Sequence, residues 1–121
     1  MKSPRKKLVV ELDRVFSLYI RRRDGRCVLC EKVEGLTCGH LLTRTAFSTR
    51  WDVDNCFGQC AGCNLRHEHK PEYFTQWYIN KFSLRKYNEL IERHHKIKKF
   101  TSDDLQRMII YYKAELGRES A

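Results

Sequence analysis

The sequence predicts an α+β fold that is mostly helical, with a small cysteine-pinned finger set between an N-terminal helix and a group of C-terminal helices. Three observations predict it. The chain has 121 residues, enough for one domain whose core is marginal unless something staples it. Two Cys-x-x-Cys pairs, Cys27/Cys30 and Cys60/Cys63, offer that staple. Apolar residues recur at helical spacing on both sides of the finger and lose that period inside it. The expected organisation is a single domain over 1–121, with a basic helix in 1–24, the finger in 25–70 and a helical region in 71–117.

Taken in order, Val9, Leu12, Phe16, Tyr19 and Ile20 form a stripe that predicts a helix over 8–22, and Arg21, Arg22 and Arg23 complement the negative end of its dipole. Asp24-Gly25 breaks it, and the Cys27/Cys30 knuckle follows. Residues 31–59 mix glycines with scattered β-formers (Val33, Leu36, Leu41, Leu42, Phe47, Trp51, Val53, Phe57), which predicts a short hairpin with an irregular loop. A short helix is expected over 64–67. Pro71 suits the first turn of the next helix, which should turn Phe74, Trp77, Tyr78 and Phe82 inward. A further helix is expected over 84–95 with Tyr87, Leu90 and Ile91 on one side, leaving His94 and His95 solvated. Thr101 to Asp104 has capping-box spacing ahead of a last helix carrying Leu105, Met108, Ile109, Tyr112 and Leu116. Residues 117–121 should fray.

With 24 Lys and Arg against 15 Asp and Glu, the net charge is +9. A polyanion is the partner such a surface suits, since cationic side chains gather phosphate by counterion release. No apolar run approaches the ~20 residues that span a bilayer, and the basic start, residues 1–7, lacks the apolar stretch of a secretory signal. A cytoplasmic location without membrane contact is therefore expected. Six cysteines could pair as disulfides in a secreted chain, but in a reducing compartment metal binding is the better reading. Each Cys-x-x-Cys turns two sulfurs toward one centre, and Cys27, Cys30, Cys60 and Cys63 together make a tetrahedral thiolate set suited to zinc. With all four positions filled by sulfur, this metal is expected to be structural. Cys38 and Cys56 stand outside the pattern and read as small buried hydrophobes. Arg44 and Arg50 share a loop and could hold phosphates.

Between the knuckles lies Thr37-Cys38-Gly39-His40; Asp54-Asn55 comes shortly before Cys60, and Asn64 directly after Cys63. This arrangement resembles the HNH, or ββα-metal, nuclease finger of treble-clef type in its H-N-N form. The resemblance implies that His40 is the general base, that Asn55 orients it, and that Asn64 is a ligand of a catalytic divalent ion. Neutral imidazole can take a proton from water near pH 7, and hydrated Mg²⁺ or Mn²⁺ needs few protein ligands to polarise a phosphate. The helix end Tyr19 to Asp24, the knuckles, Gly39-His40 with Arg44 and Arg50, Asp54-Asn55 to Asn64 and the stretch from Phe100 to Lys113 also resemble the phage NinG recombination proteins, called Rap, over 12–118. That resemblance implies a phage-encoded endonuclease acting in the host cytoplasm on branched DNA such as D-loops and Holliday junctions, and Arg21, Arg22 and Arg23 are further DNA-binding residues on this reading. Symmetric cleavage of a junction needs two active sites, which points to a homodimer through the C-terminal helices.

The sequence departs from the pattern in one place. HNH fingers often carry an acidic ligand directly before the His, and NinG-like sequences an Asp three residues before it. Gly39 and Thr37 stand there instead, so two arrangements are open: the ion rests on Asn64 alone among side chains near the His, or it recruits His67, Asp54 or Glu68, with His67 preferred. The alternative reading is a non-catalytic zinc-finger DNA-binding module. A thiol redox protein would need a βαβ pattern that is missing.

Overall fold

A computed structural model describes residues 2–118. The elements are α1 (Pro4–Asp24), β1 (Leu36–His40), α2 (Phe47–Arg50), β2 (Cys56–Cys60), α3 (Ala61–His69), α4 (Glu72–Phe82), α5 (Leu84–His95) and α6 (Ser102–Leu116). The fold is mostly helical around one two-stranded antiparallel sheet.

The first helix starts four residues before its apolar stripe. Ser3 Oγ accepts from Lys6 N at 3.2 Å and Pro4 occupies the first turn, where a missing N–H costs nothing. It ends at Gly25, whose φ of 69° lets its N–H return to Arg21 O at 2.8 Å. The short helix expected over 64–67 runs over Ala61–His69, because Cys60 caps it: the Cys63 N–H donates to Cys60 Sγ at 3.4 Å. At α6 the capping box forms in both directions, with Thr101 Oγ1 accepting from Asp104 N and Asp104 Oδ2 from Thr101 N.

The hairpin is shorter than its β-formers suggest. Only Leu36–His40 and Cys56–Cys60 pair, with Leu36 opposite Cys60 and His40 opposite Cys56. Phe47 and Trp51 instead fall in and beside the single turn α2, inside the connection from 41 to 55.

Alternate strand residues face opposite sides, so the sheet partitions two cores. On one side Cys56, with Cys38 against it, joins Leu12, Val15, Phe16 and Ile20 of α1, Trp51, and Leu105, Ile109 and Tyr112 of α6. On the other, Phe57 and Leu41 join Phe74 and Tyr78 of α4 and Leu90 of α5. Burial of one large apolar side chain contributes about 1.5–3 kcal/mol, and it is these contacts that hold α1 and α6 together behind the finger.

Three expectations are corrected here. Phe82 is not inward; it stays 40% exposed at the rim of the second core, tilted against Phe57. His94 is not on a solvated face: its Nδ1 lies 2.7 Å from Thr49 Oγ1, and Ser48 Oγ donates to its carbonyl at 2.8 Å, so the end of α5 braces α2. Of the tail expected to fray, Gly117 closes α6, and residues 119–121 lie outside the described residues.

Candidate functional site

Two groups of side chains occupy opposite ends of the sheet. At the Leu36–Cys60 end, Cys27, Cys30, Cys60 and Cys63 bring their sulfurs within 4.8 Å of one another, with Cys30 Sγ 3.6 Å from Cys60 Sγ. None is in a disulfide. The knuckle is set by Cys27 N–H donating to Lys32 O and Val28 N–H donating to Gly58 O on β2, which aligns the first pair beside the second. Burial and hydrogen bonds shared with the other thiols push Cys63 up to about 12, whereas backbone N–H bonds outweigh burial at Cys27 and bring it to about 7. Four sulfurs this close cannot all be thiolates without a cation among them. The donor set fits zinc, and the four cysteines can hold such an ion.

At the other end, His40 finishes β1 and lines a cleft of about 440 Å³ with Cys38, Thr43, Arg44, Asn64, His67 and Glu68. His40 Nε2 lies 2.9 Å from Arg50 O. A carbonyl only accepts, so Nε2 carries the proton and Nδ1 keeps the lone pair. Burial, with the positive charges of Arg44 and Arg50, lowers the His40 pKa; the Arg50 carbonyl and Asp13 oppose this without cancelling it. The ring is therefore neutral at pH 7.

Asn55 makes no hydrogen bond to His40. It is fully buried; Oδ1 accepts from Leu42 N at 2.8 Å and Nδ2 donates to Leu42 O and Thr49 O, both at 3.0 Å. These bonds tie the chain leaving His40 to α2, the turn whose last residue presents its carbonyl to the imidazole.

Asn64 and His67 on α3 reach the same cleft. His67 Nε2 donates to Leu41 O at 3.0 Å, and its Nδ1 is buried without a partner. One ring nitrogen held by a backbone carbonyl and the other left free is the arrangement that metal-ligating histidines use. Glu68 lines the cleft too, whereas Asp54 lies outside it and pairs with Arg93 at 3.1 Å. The acid missing before His40 has a steric explanation. A Cβ on Gly39 would meet Gln59 Oε1 at 1.8 Å, so the buried Gln59 carboxamide fills the space of a side chain at 39.

The arginines divide. Arg50 is bound by Asp13, with Nε to Oδ1 at 3.0 Å, and keeps only 14% of its side chain exposed. Arg22 caps the end of α6 through Leu116 O and Arg118 O. Arg23 is spent on Asp24, Val53 O and Cys56 O, and Arg21 on Ser17. Each of these four guanidinium groups thus has acceptors within the fold, Arg21 through its Nε alone. Arg44 differs: it faces the cleft, its side chain is 60% exposed, and its only ion pair among the described residues is a 3.4 Å contact to Asp13. Asp13 itself escaped sequence reasoning. It accepts from Arg50, from Trp51 Nε1 at 2.9 Å and from Arg44, and nothing in a helical stripe marks such a hub.

A family model described as Bacteriophage Lambda NinG protein matches residues 1–119. The chain belongs to the NinG family. No curated protein and no solved structure matches it. In this NinG-family chain the cysteine quartet and the His40 cleft are thus two clusters of potential metal-ligating side chains at opposite ends of the sheet. A larger concavity of about 560 Å³ between α3 and α4 is lined by Arg66, Glu72, Tyr73 and Trp77 and brings no base beside a ligand. Among the described residues, no helix is long and apolar enough to cross a membrane.

Proposed function

We propose that this NinG-family chain is a metal-dependent DNA endonuclease with an HNH, or ββα-metal, site, acting on branched recombination intermediates such as D-loops and Holliday junctions. The observation that carries the reading is the convergence of His40, tautomer-locked by Arg50 O, with Asn64 and His67 in one cleft. The orphaned His67 Nδ1 supports a cation there. The Asn64 carbonyl, His67 and Glu68 would hold Mg²⁺ or Mn²⁺, whose ligands are oxygen and imidazole nitrogen. When bound, such an ion supplies polarisation of the scissile phosphate and charge neutralisation at the leaving oxygen.

The chain's own residues do the rest. His40 Nδ1 takes a proton from a water in the cleft as the water oxygen bonds to phosphorus; the P–O3′ bond breaks and its electron pair leaves with the 3′ oxygen. Arg44, exposed at the cleft, holds a flanking phosphate by charge-assisted hydrogen bonds. The quartet zinc keeps α3 against the sheet and takes no part in bond breaking.

The test is a gel comparing a four-way junction, a D-loop, a flap, linear duplex and single strand, each with Mg²⁺ or Mn²⁺, for wild type and His40→Ala. Cleavage of the branched substrates is expected to fall by about 10²–10⁴-fold in the mutant with binding retained. If both proteins bind every substrate and cut none, the chain is a non-catalytic DNA-binding module and the proposal is lost.

A further inference from the structure

We propose that Cys38, His40 and Cys56 form a second, thiophilic metal site whose occupation by zinc silences His40. One donor atom from each lies within 4.8 Å of the others. The sheet register explains the grouping: His40 is directly opposite Cys56, and Cys38 is two residues back along β1, on the same face. Both cysteines are free thiols. Cys56 is fully buried with its Sγ 3.7 Å from Arg50 O, whereas Cys38 and His40 open on the cleft.

The donor chemistry separates this site from that of the proposed catalytic ion. Two thiolates and an imidazole favour zinc or copper(I) over magnesium or manganese. Three protein ligands with the fourth position facing solvent leave room for a water. This site is also distinct from the quartet, which lies at the other end of the ladder, where Cys60 is opposite Leu36. Binding releases the two thiol protons to solvent. Coordination through His40 Nδ1 uses the lone pair that would accept a proton; coordination through Nε2 breaks the bond to Arg50 O that fixes the tautomer. Either way the imidazole ceases to be a base. The silencing rests on the nuclease reading, whereas the metal site does not.

The experiment uses the whole chain carrying its first zinc. Zinc uptake is measured by calorimetry, and cobalt is used as a spectroscopic probe. Wild type is expected to take up a second equivalent with new thiolate-to-cobalt charge-transfer absorption, and Cys38→Ala to take up none. Cys38 is half-buried and so the variant folds more safely than one at the fully buried Cys56; circular dichroism checks it. Added zinc should lower Mg²⁺-supported junction cleavage by wild type about a hundredfold, the low end of a general base's contribution, while the ratio with and without zinc stays near unity in Cys38→Ala. A wild type that takes no second equivalent, or a Cys38→Ala that takes it unchanged, overturns the site. Cys38-dependent uptake in a protein that cuts no DNA under any condition supports the site and removes the nuclease reading alone.

Discussion

The cysteine quartet and the His40 cleft sit at opposite ends of one two-stranded ladder of five residue pairs, and they are built in opposite ways. The quartet is a closed set of four sulfurs from two knuckles, three of them buried. The cleft gathers two imidazoles, an amide and a carboxylate, with Arg44 beside them, around about 440 Å³ of open space. Helix α3 belongs to both, since Cys63 faces the quartet and its neighbour Asn64 the cleft. A filled thiolate shell contributes folding free energy and offers no place for substrate, while a sparse shell leaves coordination positions to water and phosphate. The division of labour proposed for the two follows from donor count and softness.

The largest effect that would break this comparison lies at the quartet. Cys63→Ser, or a strong chelator on wild type, should abolish the cooperative melt, because structural zinc sites of this kind contribute about 10–16 kcal/mol of apparent binding energy. Removal of Mg²⁺ should leave the melt unchanged. A zinc-free protein with a native near-UV spectrum would erase the distinction.

Asn55→Leu tests how far the cleft depends on its loop. It removes the side-chain partner of Leu42 N and Leu42 O and one of the donors to Thr49 O, which keeps the Asp52 N–H, and a buried polar group left unpaired costs about 1–3 kcal/mol. Denaturant melts should show the loss with the quartet's zinc content unchanged; an unaltered midpoint would mean that the loop is held otherwise.

A smaller effect is expected at Gly39→Ala, where the methyl meets Gln59 Oε1 and overpacking costs about 1–3 kcal/mol. Gln59→Ala in the same chain should recover most of that loss in a double-mutant cycle. Additive effects would show that the two do not compete for space.

Asp13 gives the smallest and most pH-dependent change. Burial raises its pKa, but the hydrogen bonds and charge of Arg50, with Trp51 and Arg44, hold it below the ordinary carboxylate value. A depressed folded pKa contributes stability above the unfolded value of about 3.9 and loses it as pH falls through the folded one. Asp13→Asn should therefore lower the melting temperature at neutral pH and converge with wild type in acid; parallel curves would deny the ion cluster any role.

Much of the helical frame was legible because helix signals are local. Val9 to Ile20 declares a stripe, Pro71 opens a helix, and Thr101 with Asp104 caps one. The quartet was legible for a related reason, since Cys-x-x-Cys spacing is itself a local geometry. The cleft was legible only in its members. His40 and Asn64 could be named from the resemblance to the HNH finger and His67 from its place one helical turn beyond Asn64, yet the partner of His40 turned out to be the Arg50 carbonyl, and backbone carbonyls carry no mark in a sequence.

What the sequence determined by itself is thus what is decided within a few residues: the helical stripes, their caps and the two thiol pairs. Tertiary structure decided what depends on long-range placement. It spent Arg23 on carbonyls some thirty residues away, bound Arg50 to Asp13, laid Gln59 over Gly39 and set Cys38 and Cys56 beside His40. The physical reason is that exchanging water for an acceptor within the fold changes the free energy of a polar side chain by only about 0.5–1.5 kcal/mol net, too little for residue type alone to choose between them. Only the folded chain determines which acceptor comes within 3 Å.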